Sequence, residues 1–239
     1  MKPTQVLQCN APLLGKRLQL ERLNSNHLQF LLQSFTHKDF WSSYRYDQPL
    51  ELAPGDLQAK LDFEYQLLPS QAGKIEWAIR DRHSSSDHFL GLAALAAIDT
   101  EKSRAEFLVG IIDPDELKTG IGLEASLLAM GYAFNFLGIR ELGSYVYAHN
   151  KHAQKGTEAL GFRKIRLLKR RFTRHGEDID MDIVENKMLE NEFRQNVRLA
   201  KLAKRTLGQD ITTNNVSDKP KSSVDSTNSG IQASFELKS

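Results

Sequence analysis

Apolar and polar positions alternate along Lys16–Glu21 (KRLQLE), with Leu18 and Leu20 on one face, the two-residue period of a half-buried strand. Asn24 or Ser25 is placed to cap a following helix, in which Leu28, Leu31, Leu32 and Phe35 fall at helical spacing. From Lys38 to Pro54 the pattern is irregular and aromatic, with Phe40, Trp41, Tyr44 and Tyr46 close together; such rings either line a pocket or anchor a loop to the core. A second helix is predicted over Gly55–Leu68, stopped by Pro69-Ser70. Three strand-like runs follow: Lys74–Arg80, His88–Ile98 with Gly91 as a bulge or close-approach point, and Ala105–Ile112. The polar turns DRHSSSD (Asp81–Asp87) and Asp99–Arg104 separate them.

The stretch Ile111–Gly138 (IIDPDELKTGIGLEASLLAMGYAFNFLG) then changes period. Its strand ends at Asp113-Pro114, a polar turn leads to Gly120-Ile121-Gly122, and Leu123, Leu127, Met130, Phe134 and Leu137 form one helical stripe up to Gly138. Beyond it the pattern predicts a strand over Glu141–Ala148, an N-cap at Asn150 and a short helix to Leu160. Two strands, Arg163–Phe172 and Asp178–Glu185, flank the turn Arg174-His175-Gly176. An amphipathic helix is expected over Asn186–Leu207, with Leu189, Phe193, Val197 and Ala200 on one side and Gly208 as its stop. The organisation expected is a flexible N-terminus (1–13), one domain (14–190), an amphipathic C-terminal helix (191–208) and a disordered tail (209–239) too polar to offset its ordering entropy. Strands alternating with helices, and consecutive hairpin strands in the middle, argue for a mixed-sheet α+β or α/β domain.

The order strand, glycine-containing turn, helix builds an anion site from backbone alone. The first helical turn leaves N–H groups unpaired at the positive end of the dipole, and glycine lets a phosphate approach closely. The bland alternative is a helix entry that happens to contain two glycines.

Composition narrows the classes. With 239 residues, 40% hydrophobic and 26% charged, the chain has the mass for one real core. A formal charge of +2 does not by itself argue for nucleic acid. The single cysteine, Cys9, excludes an internal disulfide and fits a reducing cytoplasm. No run approaches the roughly 20 apolar residues of a membrane span. The seven histidines show no HExxH and no metal spacing, so no metal is expected. His149 and His152 flank Asn150, with surface or capping roles ahead of proton transfer. The run Arg163–His175 holds seven Lys or Arg residues and no acid, and reads either as a solvated strand face or as a contact to RNA, a ribosome or an acidic ligand.

Four segments in order resemble the GNAT acyltransferases, and most closely the branch that acetylates N-terminal amines of ribosomal proteins and related small amines. They are LLGKRLQLERL near the start, the Pro114–Ala125 turn, Asn150 followed by EALGF (Glu158–Phe162), and Gly176 with Asp180 in HGEDIDMDIV. The resemblance implies a GNAT-like fold: a mixed, mostly antiparallel sheet splayed at its fourth and fifth strands, Ala105–Ile112 and Glu141–Ala148, and flanked by helices. It implies an acetyl-CoA-dependent N-acetyltransferase acting on a primary amine, either a small molecule or a protein N-terminus, with no metal and no membrane.

By the same resemblance, Lys118, Thr119, Gly120, Ile121, Gly122 and Leu123 would hold the pyrophosphate of acetyl-CoA, and Ile111 or Ile112 would offer an oxyanion N–H. Asn150 would position the CoA arm or the substrate, and Glu106 is the candidate general base, an ordered water being the alternative. A bulge between Leu108 and Ile112 would bring Glu106 into register and splay the strands. The chain departs from the family pattern at Leu117, where Arg or Gln is usual, at Ala153 for a Ser, and at Thr157 for a Tyr. Those departures motivate a second reading, a GNAT-like CoA-binding or interaction module without turnover, associated with RNA or a ribosome.

Overall fold

The structure, a computed structural model, describes residues 9–44, 53–84, 88–169, 171–174 and 177–213. Most of the expected flexible N-terminus and disordered tail (1–8, 214–239) lies outside the described residues. So do residues 45–52 of the aromatic segment, residues 85–87, Arg170 and the turn His175-Gly176.

One eight-stranded sheet organises the chain. Its strands are β1 (Leu13–Leu14), β2 (Leu18–Arg22), β3 (Ile75–Asp81), β4 (Phe89–Asp99), β5 (Arg104–Ile111), β6 (Glu141–Tyr147), β7 (Arg163–Leu168) and β10 (Ile183–Leu189). They lie in the order β1-β2-β3-β4-β5-β6-β10-β7, and among the described residues only β5–β6 is parallel. A separate hairpin, β8 (Arg171–Arg174) with β9 (Glu177–Asp180), stands between β7 and β10 in the chain. This is the mixed α/β sheet expected, mostly antiparallel and opened at the fourth and fifth of its long strands.

Alternation assigns the two faces. On one face Ala78, Leu92 and Leu108 lie beneath α1 (Leu28–Ser34), α2 (Lys38–Tyr44) and α3 (Pro54–Gln66), with Leu23, Leu31, Phe40, Trp41, Leu57 and Leu61. The other face, with Trp77, Ile79, Ala93, Leu95 and Phe107, packs on α5 (Ile121–Gly131) and on α8 (Val197–Leu207) through Leu199 and Ala203. A four-residue helix, α4 (Pro69–Ala72), leads into β3, and α6 (Lys151–Ala159) precedes β7. β4 is buried nearly throughout because both of its faces are covered, which is why its sequence does not alternate.

Three expectations change. First, the aromatic segment opens with a helix, α2, whose rings anchor it to the sheet: Phe40 stacks on Tyr44 (5.3 Å), and Trp41 Nε1 donates to the Ser34 carbonyl at 2.9 Å. A Cβ at Gly110 on β5 would lie 2.7 Å from both Phe40 and Tyr44, so these rings need a glycine beneath them. Second, the strand expected over Asp178–Glu185 is divided between β9 and β10, and β10 runs on to Leu189, because Asn186, Lys187 and Met188 pair with Ser144, Gly143 and Leu142 of β6. The helical part then comes in two pieces, α7 (Glu190–Gln195) and α8, broken at Asn196, whose side chain accepts from the Leu199 N–H at 2.9 Å. Val197, assigned to the buried stripe, is 65% exposed, while Phe193, Leu199 and Ala203 carry the contact.

Third, the long helix after Gly120 ends α5 at Gly131 and finishes as a π-turn, Tyr132–Phe136, before Gly138. Arg194 donates to the Phe134 carbonyl at 3.3 Å there. The first residues of the expected disordered tail pack against the same place: Ile211 and Thr212 are buried, and Asn135 donates to the Ile211 carbonyl at 2.9 Å.

Phe193 stacks on Phe134 with centroids 4.2 Å apart, and both rings are fully enclosed. Phe193→Ala should therefore destabilise the domain by about 3–5 kcal/mol in urea unfolding. A loss below about 1 kcal/mol, the scale of a surface substitution, would show that α7 is not part of the core.

Candidate active site

The opening between β5 and β6 comes from how each strand is paired. β5 follows β4 from Glu106 to Ile111, while β6 follows β10 from Glu141 to Tyr147. The two strands meet only at Arg104/Glu141, Ala105/Leu142 and Glu106/Gly143. Beyond that last rung each keeps to its own antiparallel partner and a gap opens. The expected bulge between Leu108 and Ile112 is not there: β5 keeps unbroken register with β4 over those residues, and the shift lies between Ala96 and Asp99 of β4. Divergence of two separately paired strands, rather than an extra residue in β5, makes the opening.

The direction of the free backbone groups follows from the ladder. The Ile112 N–H donates to the Leu90 carbonyl at 2.9 Å, so Ile112/Leu90 is a hydrogen-bonded pair. In an antiparallel ladder such pairs alternate with pairs whose N–H and C=O point away. Gly110, Leu108 and Glu106 therefore bond toward β4, the Phe107 N–H belongs to the last β5–β6 rung, and Val109 and Ile111 turn their backbone groups toward the gap. Of the two oxyanion candidates this corrects Ile112, whose N–H already has a partner, and leaves Ile111.

The end of that strand runs into the glycine turn. Glu116–Thr119 forms a single 3-10 turn, Gly120 sits at φ +85°, and α5 begins at Ile121. The positive φ is a conformation that glycine adopts without strain and a β-branched residue does not. Glu124 is the first residue of α5 whose N–H reaches back, to the Gly120 carbonyl at 3.1 Å, which leaves the N–H groups of Ile121, Gly122 and Leu123 at the helix start. The Lys118 N–H is directed to the Asp115 carbonyl at 3.4 Å. The Lys118 side chain, like that of Asp115, is exposed, and the two form an ion pair at 3.4 Å. Thr119 is exposed and its hydroxyl donates to the Glu116 carbonyl at 2.8 Å. Leu117, at the unusual position, packs against the core, which an Arg or Gln there would not do.

Glu106 is half-buried at the last β5–β6 rung, on the face covered by the N-terminal helices. Tyr145, two residues past Gly143 on β6, shares that face; its ring folds back so that a Cβ at Gly143 would lie 3.5 Å from it. Burial, then the charges of Glu185 and Glu106, push the Tyr145 phenol above its ordinary range, so it is protonated at neutral pH. Glu185 opposite it is buried and paired with Arg166 at 2.5 Å. Sequence reasoning missed Tyr145. Its signal was the alternation of β6, which puts it on the face of Gly143 and Glu106.

Asn150 caps α6: its Oδ1 accepts from the Ala153 N–H at 3.0 Å. Thr157 is buried in α6, and His149 and His152 are exposed, with His149 stacked on Tyr147. Three cations of the basic run have acid partners. Arg163 pairs with Glu192, Arg166 with Glu185 and Lys169 with Asp182. Among the described residues no group of three or more metal-ligating side chains comes together, and no helix is long and apolar enough to cross a membrane.

Comparison with known proteins gives the class. Residues 17–163 match the family model described as the acetyltransferase (GNAT) domain. A spermidine N-acetyltransferase from Vibrio cholerae, solved in complex with CoA and spermine, has a TM-score of 0.62 at 19% identity, covering 74% of this chain and 97% of that one. A GCN5-related N-acetyltransferase from Brucella melitensis has a TM-score of 0.59 at 21% identity, covering 77% and 80%. No curated protein matches the sequence. The chain belongs to the GNAT acetyltransferase family, and is an N-acetyltransferase whose co-substrate is acetyl-CoA.

If capping is the work of the Asn150 side chain, Asn150→Asp should keep both stability and activity, whereas Asn150→Ala should cost about 0.5–2 kcal/mol in unfolding. An Asp variant that is stable but inactive would instead give the amide a contact of its own in the reaction.

Proposed function

We propose that the chain moves an acetyl group from acetyl-CoA to a primary amine by direct attack of that amine on the thioester. The observation that carries this reading is the continuity of two sets of free backbone groups: the edge of β5 at Val109 and Ile111 leads into the N–H groups of Ile121, Gly122 and Leu123. The first set suits an extended amide-bearing arm that pairs like a strand, and the second suits a pyrophosphate. Gly120 shapes the turn, and Thr119 and Lys118 flank it, with Lys118 as a charged helper. Bound there, acetyl-CoA supplies an activated acyl group whose leaving thiolate has an ordinary pKa near 8.5, so a dedicated strong acid is not required. The short Thr157 in place of a Tyr is then no obstacle.

The chain's own groups do the rest. The Ile111 N–H faces the gap and donates to the oxygen on which charge develops. Glu106, at the vertex of the opening, accepts the proton that the attacking amine must lose. Tyr145, a neutral phenol beside it, offers that amine a hydroxyl. Asn150 acts by fixing the start of α6 at the end of β6.

Two acceptor classes fit a carboxylate at the vertex. One is a small amine, the class represented by the Vibrio cholerae neighbour; the other is the N-terminus of a protein such as a ribosomal protein, the class of the branch that the sequence resembles. Thiol release from acetyl-CoA with a panel of amines and N-terminal peptides separates them. Tight CoA binding with no transfer to any amine would leave the alternative, a CoA-binding module without turnover.

Calorimetry with CoA tests how the turn works. Gly120→Val should weaken binding at least about tenfold, because it places a β-branched residue at positive φ. Lys118→Ala should weaken it by less than about threefold, as for an exposed ion-paired side chain. Equal effects would mean that charge, not backbone, holds the ligand. Glu106→Gln should lower kcat by about 10²–10⁴-fold while leaving CoA binding intact. A kcat near the parent value would move the base to an ordered water.

A further inference from the structure

The residue that ends the free first turn of α5 is itself tied to another part of the fold. Glu124 is a carboxylate buried to 6% exposure, and its Oε1 accepts from two backbone N–H groups of the β1–β2 turn, Arg17 at 2.9 Å and Leu18 at 3.2 Å. That turn is tight, with the Gly15 N–H donating to the Leu18 carbonyl at 2.8 Å. A Cβ at Gly15 would lie 2.1 Å from Glu124 Oε1, so the carboxylate occupies the space that a side chain there would fill. Arg17 then reaches across with its guanidinium, Nε to Asp81 at 3.0 Å and Nη2 to Glu116 at 3.4 Å. Glu116 opens the 3-10 turn that delivers the chain to Gly120. Both sides of the glycine turn are thereby fastened to one hairpin: the entry through Arg17 and Glu116, the exit through Glu124.

We propose that Glu124 is a positioning residue for acetyl-CoA: by clamping α5 to the Gly15–Leu18 turn it aims the N–H groups of Ile121, Gly122 and Leu123 at one point. The inference rests on the reading of that turn as the pyrophosphate site. A backbone anion site holds its ligand only as well as its donors converge, because each bond is weak and directional. A buried carboxylate next to such a site would also repel the phosphates, and two charge-assisted bonds hold this one toward the hairpin. Without it, the N–H of fully enclosed Leu18 has no acceptor, and the first turn of α5 has no tether.

The test uses three variants of the full chain, read by CoA calorimetry and by steady-state kinetics in both substrates. Glu124→Ala removes the clamp from the helix side, and Gly15→Ala displaces it from the hairpin side. Each should raise the KM for acetyl-CoA and the Kd for CoA by about five- to twentyfold, as expected for a lost network of buried hydrogen bonds. The kcat at saturation and the KM for the amine should stay within about twofold. Glu124→Gln keeps an oxygen for the same two N–H groups and should stay within about threefold of the parent for acetyl-CoA.

An unchanged KM for acetyl-CoA in both Ala variants overturns the proposal, and so does a parallel decline of kcat and both KM values, which is the mark of a role in folding alone. If Glu124→Ala does not fold, a Glu124→Gln variant as impaired in CoA binding as Gly15→Ala overturns it too. A parent protein that binds CoA with no change in these variants refutes the clamp only. A parent that binds no CoA refutes the reading of the turn, and the clamp with it.

Discussion

Backbone hydrogen bonding that is satisfied on one side and left open on the other governs this molecule. A strand in the middle of a sheet ordinarily pairs along both edges. Here β5 is bound to β4 along its length, and β6 to β10 along its length, while β5 and β6 share only three rungs. The groups that face the gap are not those that bond β5 to β4, so that pairing leaves them free. The two strands diverge past their third rung, and the opening presents Val109 and Ile111 as an unpaired edge in the interior of the fold.

The rest of the architecture serves that edge. The start of α5 lies beside the end of β5, with Gly122 against Ile111, so its unpaired N–H groups continue the line of donors, and the Gly120 conformation makes the change of direction. One sheet face buries α5 between the strands and the C-terminal helices, which fixes the helix axis. The other face is roofed by α1–α3 up to Gly110. Beside that roof, near the vertex, Glu106, Tyr145 and the Glu185–Arg166 pair share a face. Binding groups of the backbone lie along the gap, and titratable side chains gather at its narrow end.

Much of this was legible in the sequence, for physical reasons. The period change from β5 to α5 around Gly120-Ile121-Gly122 marked the turn. Strong alternation and turn residues marked β2, β3 and β6, and Asn150 was readable as a cap. What was not legible depended on partners distant in the chain. The strand nature of Asn186–Leu189 comes from rungs with β6, which no local pattern encodes. The helix α2 exists because a glycine seventy residues later makes room for its rings. The absent bulge shows a related limit, since splay can arise from what each strand's other edge is bonded to. Tyr145 went unnoticed because its place follows from register with Gly143 and Glu106. Of the basic run, Arg163, Arg166 and Lys169 pair with acids distant in the chain, which no local pattern encodes.

Amide hydrogen exchange with and without CoA tests the central claim most directly, because it reads the backbone groups named here one by one. Binding in the gap predicts new protection at Val109 and Ile111 and at Ile121, Gly122 and Leu123, with little change at Ile112 and Phe107, whose N–H groups are already bonded in the sheet. CoA that binds while those five free amides exchange as before would contradict it.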